Sequence, residues 1–180
     1  MDLIDHVRQR MDPVQFAKIP AHVTLCYDDE IQDWNYVAGC FEALAPEGIR
    51  FNFTVEGARS FAAEGKGIYL GIAEQSGFYT LARSRLLATS SSARKQVRPH
   101  ITLLHPKHAR DGADGWTLVD SMGFPERILI HQISLIELRE SAWTVVRVWG
   151  IKELDRPRAD ATIPSQTSGC NLGGAGASKE

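Results

Sequence analysis

Pro20-Ala21-His22-Val23-Thr24-Leu25-Cys26 and, 78 residues further on, Arg98-Pro99-His100-Ile101-Thr102-Leu103-Leu104 each set a histidine two positions before a threonine among apolar neighbours. In an extended strand, side chains two apart share a face. Residues 19–26 and 98–104 therefore read as strands with an imidazole and a hydroxyl on one side. Val23 and Leu25, or Ile101 and Leu103, face the other way. A buried apolar face pins that register, because a slip of one residue would drive the imidazole into the core.

The same offset aligns the rest of the chain. Val55 falls on Ile133, and residues 67–73 fall on 145–151. Working outward, residues 2–11 read as a short helix. Residues 31–44 have helical spacing, with Ile31, Trp34, Val37, Ala38, Phe41 and Leu44 on one side. Residues 50–60 and 67–73 read as strands turning through Gly65 and Gly67. The order then restarts, with a helix at 77–89, the second H-x-T strand, and a helix at 113–122. Strands at 127–138 and 142–151 follow, joined near Glu140-Ser141. A repeated element order of this kind points to two similar lobes about a pseudo-twofold axis, at about 1–75 and 76–154. Residues 155–180, rich in Gly, Ser, Ala and Pro, read as a disordered tail.

Length and composition narrow the class. A chain of 180 residues, 43% hydrophobic and 23% charged, suits one soluble domain with a real core. No apolar run approaches the roughly 18–20 residues of a membrane span. The acidic start Met1-Asp2-Leu3-Ile4-Asp5 does not resemble a signal peptide. Cys26, Cys40 and Cys170 lie far apart, so they read as reduced thiols of a cytoplasmic protein, the first two in the core. A net charge of −2 argues against a general nucleic-acid coat. Between Gln75 and Arg110, however, seven basic residues occur and no acidic one, which favours an anionic ligand. For Arg83 and Arg85 a solvated helix face explains the charge as well.

Two strands related by a twofold would bring two imidazoles and two hydroxyls to a common space. Cleaving a phosphodiester needs a base for the nucleophile and an acid for the departing oxygen. Histidine can take either part near neutral pH. Threonine hydroxyls can donate to the non-bridging phosphate oxygens. No cofactor and no metal is required. His100, His105 and His108 with Asp111 do not place three ligands on one face.

The paired His22-Val23-Thr24-Leu25 and His100-Ile101-Thr102-Leu103 resemble the signature of the 2H phosphoesterase superfamily. That group includes RNA 2′,3′-cyclic phosphodiesterases and 2′-5′ RNA ligase-like proteins. The resemblance spans about residues 1–151. It implies an α+β fold of two lobes, each an antiparallel sheet with helices outside, lining a central cleft. It also implies metal-independent hydrolysis of a 2′,3′-cyclic or 2′-5′-linked phosphate of a nucleotide or RNA end. His22 and His100 would be the acid–base pair, and Thr24 and Thr102 the phosphate binders. An alternative of another class is a non-catalytic nucleotide or RNA-end binding protein using the same cleft.

Further candidates sit at the rim. Tyr27 and His105 are equivalent under the repeat and follow their H-x-T strands, where they could touch a base or ribose. Arg98 and Lys107 flank the second motif and could hold a phosphate. His6 reads as surface and His131 as a packed strand residue. Trp34, Trp143 and Trp149 fit helix and strand cores, and Trp116 fits the second short helix. Nothing in the chain calls for a membrane or an obligate protein partner, and a monomer is expected.

Overall fold

A computed structural model describes residues 3–44, 51–61, 66–90, 97–109, 114–130, 132–139 and 142–150. The expected tail at 155–180, together with Gly65, Asp111 and His131, lies outside the described residues. Helix α1 (Leu3–Met11) leads into α2 (Pro13–Phe16), a 3-10 turn at Asp28–Glu30 and α3 (Trp34–Leu44). Strands β1 (Phe51–Ser60) and β2 (Ile68–Glu74) follow, then α4 (Phe78–Leu86), β3 (His100–Leu104) and α5 (Asp114–Asp120). The described chain ends with β4 (Arg127–Ile130), β5 (Gln132–Arg139) and β6 (Ala142–Gly150).

The expected α+β architecture with two antiparallel sheets is what forms. One sheet has the order β3-β2-β1-β4, and β5-β6 is the other. The sheets do not follow the halves of the chain. β3, with the second H-x-T motif, pairs with β2 from the first half. The stretch expected as one strand over 127–138 serves both sheets, since β4 pairs with β1 and β5 with β6.

The four-stranded sheet buries one face, whereas Trp149 is the one buried side chain among the described residues of β5 and β6. Phe51, Phe53, Ile68, Leu70, Ile72, Ile101 and Leu103 pack against Ile4 and Val7 of α1, Tyr79 and Ala82 of α4, and Val119 of α5. A second core joins Val37 and Phe41 of α3, Leu86 of α4 and Trp149 of β6, with Ile133 and Leu135 against it. Helix α4 thus belongs to both cores and holds the two sheets together. Cys26 and Cys40, both free thiols, pack half-buried against the second core. Trp34 departs from its expected core place. It opens α3 and is 42% exposed, because Val37 and Phe41 carry that helix's buried face.

The strand expected over 19–26 does not form: the segment bends at Ala21, Leu25 and Cys26 and joins neither sheet among the described residues. Side chains, in place of a neighbouring strand, satisfy several of its backbone groups. Arg8 donates to the Ile19 carbonyl, Tyr79 to that of Thr24 and Arg83 to that of Leu25. The Ala21 and Tyr27 amides donate to Asp5 and Glu30. Ala21, Val23 and Leu25 still pack on the first core, although residues 21–27 are all half-buried.

Candidate functional site

Strand β3 presents the second motif as its spacing requires. Ile101 and Leu103 are buried, while His100, Thr102 and Leu104 are half-buried on the other side. Across the sheet, Thr102 lies opposite Tyr69, which lies opposite Arg59. His100 lies opposite Gly71, which lies opposite Gly57. Directly opposed residues share a face, so the imidazole borders a strip of sheet bare of side chains. A β-bulge at Glu56 sets this register, and Gly57 takes φ 96°, a conformation open to glycine. A side chain at Gly71 would place its Cβ 3.3 Å from Arg59 Nε. The guanidinium therefore lies over the gap.

Two aromatic rings edge the imidazole. The Tyr69 ring is 5.3 Å from His100 at 65°, and the Phe61 ring 5.4 Å at 82°. Beside them a cavity of about 290 Å³ is bordered by Arg59, Tyr69, Gly71, Tyr79, Arg98 and Pro99. Neither motif imidazole lines it, and its nearest approach to the motifs is through Arg98 and Pro99, just before His100.

His22 and His100 are oriented alike. His22 Nδ1 lies 2.8 Å from the Pro20 carbonyl and His100 Nδ1 lies 2.9 Å from the Arg98 carbonyl. A carbonyl oxygen can only accept, so Nδ1 carries the hydrogen in both rings. In the neutral rings, Nε2 is then the atom with the free lone pair. His22 also senses the second imidazole. Burial lowers the His22 pKa from its ordinary 6.5, the Pro20 bond opposes this, and the charges of Arg8 and His100 add to the lowering.

The motif backbones are braced from the helices. Arg8, 1% exposed, donates from Nε to the Thr102 carbonyl at 3.0 Å and from Nη1 to the Ile19 carbonyl at 3.0 Å. Tyr79 Oη donates to the Thr24 carbonyl at 2.7 Å, and burial pushes its phenol pKa up. Arg83 donates to Glu30 at 2.6 and 3.1 Å and to the Leu25 carbonyl at 2.5 Å. Arg83 is thus a buried structural cation, 8% exposed, while Arg85 is exposed.

The remaining candidates have the following partners. The Tyr27 amide caps the 3-10 turn through Glu30 at 3.0 Å. The His105 amide donates to buried Asp12, whose other oxygen meets His108 Nδ1 at 2.8 Å. His105 Nδ1 accepts from the Lys107 amide at 3.1 Å, and burial, then His108, lowers its pKa. The Arg98 and Lys107 side chains are exposed. Among the described residues no cluster of three or more His, Cys, Asp or Glu is placed to hold a metal ion.

Sequence reasoning passed over Arg8, Tyr69, Phe61 and Tyr79. Arg8 left one signal. It lies on the apolar stripe Ile4, Val7, Met11 of α1, where a charge must find partners inside the fold.

The sequence pattern of the 2′-5′ RNA ligase superfamily matches residues 2–142, and the chain belongs to that superfamily. Its fold is that of solved relatives. A structure described as a phosphoesterase is 18% identical with a TM-score of 0.50, over 85% of this chain and 96% of the other. The LigT protein of E. coli, solved with 3′-AMP, is 15% identical with a TM-score of 0.51, over 85% and 95%. No curated protein matches the chain. Among the described residues no helix is long and apolar enough to cross a membrane.

Proposed function

We propose that the protein is a metal-independent phosphodiesterase that opens a 2′,3′-cyclic phosphate, or cleaves a 2′-5′ linkage, at a nucleotide or RNA end. The observation that carries this reading is the matched orientation of the two imidazoles, each tied through Nδ1 to the carbonyl two residues before it. Both reactive nitrogens are thereby of one kind, Nε2, on rings that are half-buried.

His22, whose pKa is lowered mainly by burial, favours the neutral form suited to a base. It takes a proton from water as the oxygen attacks phosphorus. Protonated His100 gives its Nε2 hydrogen to the ribose oxygen that leaves, so one P–O bond forms and one breaks. The Thr24 and Thr102 hydroxyls donate to the non-bridging oxygens as charge builds on them. The nucleotide complex of the LigT relative is consistent with a ligand of this class.

The test is turnover of 2′,3′-cyclic AMP with EDTA present, by wild type, His22→Ala and His100→Ala, with the product isomer identified. Each substitution is expected to lower kcat by about 10²–10⁴-fold. Full activity in either variant would remove the two-histidine reading. Binding without turnover in the wild type would favour a nucleotide-binding protein instead.

A further inference from the structure

Arg8 has no place in the acid–base scheme, yet it is more deeply buried than Asp12, Glu30 or Arg83. Burying a guanidinium is costly unless its N–H groups find acceptors. Here the acceptors are backbone carbonyls of both H-x-T segments, Ile19 in one and Thr102 in the other, each at 3.0 Å. Asp5 completes the arrangement. Its Oδ1 accepts from Arg8 Nη1 at 3.4 Å and from the Ala21 amide at 2.8 Å. Residues 19 and 21 are thus both gripped by α1, and Pro20 between them supplies the carbonyl that orients His22. Thr102 lies two residues beyond His100 on the same face of β3.

The guanidinium plane is rigid, so the directions of its Nε and Nη1 hydrogens are set relative to each other. Two carbonyls bound to it are held at a defined separation. We infer that Arg8 is a positioning residue that sets the spacing and orientation of the His22–His100 pair by yoking the two motif backbones. The inference rests on the proposed two-histidine reading. It accounts for a charge on the buried stripe of α1 that packing alone does not require, since Ile4 and Val7 already fill that face.

The experiment compares full-length wild type, Arg8→Lys, Arg8→Gln and Asp5→Asn by steady-state kinetics on 2′,3′-cyclic AMP and by NMR titration of the histidine rings. Lysine keeps the charge but offers no planar fork. Arg8→Lys should lower kcat by about 10–100-fold with KM within about threefold, because misplacing the pair harms the reaction more than binding. Its His22 titration should stay near that of wild type. Arg8→Gln should lower kcat similarly and raise the His22 pKa. Asp5→Asn should lower the His22 pKa, as the signs of the charges near that ring (Arg8, His100 and Asp5) dictate.

Folded Arg8→Lys with wild-type kcat would overturn the inference, as would a loss of thermal stability with kcat intact. Should Arg8→Lys not fold, Asp5→Asn, which loosens the same yoke, decides it, and an unchanged kcat there overturns it. Absent turnover in the wild type would count against the functional reading alone. The ring signals then decide about Arg8, and unaltered His22 and His100 signals in Arg8→Gln overturn the yoke.

Discussion

His22 and His100 are held by equivalent bonds, Nδ1 to the carbonyl two residues earlier, at 2.8 and 2.9 Å. One of these bonds forms at the start of a hydrogen-bonded strand and the other within a segment that pairs with no strand among the described residues. The local H-x-T geometry is therefore reached twice by different supports, a sheet for one and helix side chains for the other.

Burial lowers the pKa of His22 from 6.5, and that of His105 likewise. Both bind a proton less readily folded than unfolded. The stability they contribute is complete above about pH 6.5 and is lost as pH falls from there toward their folded values. Thermal melts across pH 5–8 should show Tm falling on the acid side. In His22→Gln that fall should be shallower, and an unchanged slope would show that His22 titrates normally.

Arg83 and Glu30 form a buried ion pair that also holds the Leu25 carbonyl and the Tyr27 amide. Removing one partner strands the other charge. Arg83→Met or Glu30→Gln should each destabilise the fold by about 3–5 kcal/mol in urea unfolding. The double variant Arg83→Met/Glu30→Gln should lose less than the sum of the two single replacements.

Tyr79 reaches the Thr24 carbonyl through its hydroxyl at 2.7 Å. Tyr79→Phe keeps the ring in the core and deletes only that bond. Stability should drop by about 0.5–1.5 kcal/mol. Turnover of 2′,3′-cyclic AMP should fall several-fold, because the carbonyl belongs to the motif threonine. Loss of stability without loss of kcat would assign Tyr79 to folding alone.

Gly67 turns into β2 with φ 74°, and a Cβ there would lie 2.9 Å from the Leu104 carbonyl and from Pro106. Gly67→Ala meets both a strained backbone and a fixed atom. It should cost about 1–3 kcal/mol in chemical unfolding. Because Leu104 ends β3, the same change should also broaden the His100 ring signal.

The sequence by itself determined the alternation around the second motif, most of the helices and strands with ends shifted by a few residues, and the superfamily. These are local or periodic properties, written by side chains two or four apart. His22 and His100 could be singled out because their setting repeats at a constant offset. Only the tertiary structure decided the support of each motif. The first motif takes side chains where a strand was expected, β3 crosses to the hairpin of the other half, and Arg83 is buried where a solvated face was an equal reading. Each of those outcomes turns on partners distant in the chain, such as β3 with β2, Tyr79 with Thr24 and Arg83 with Glu30. Hydrogen-bond demand can be read from a sequence, but which distant group meets it is settled only when the chain closes on itself.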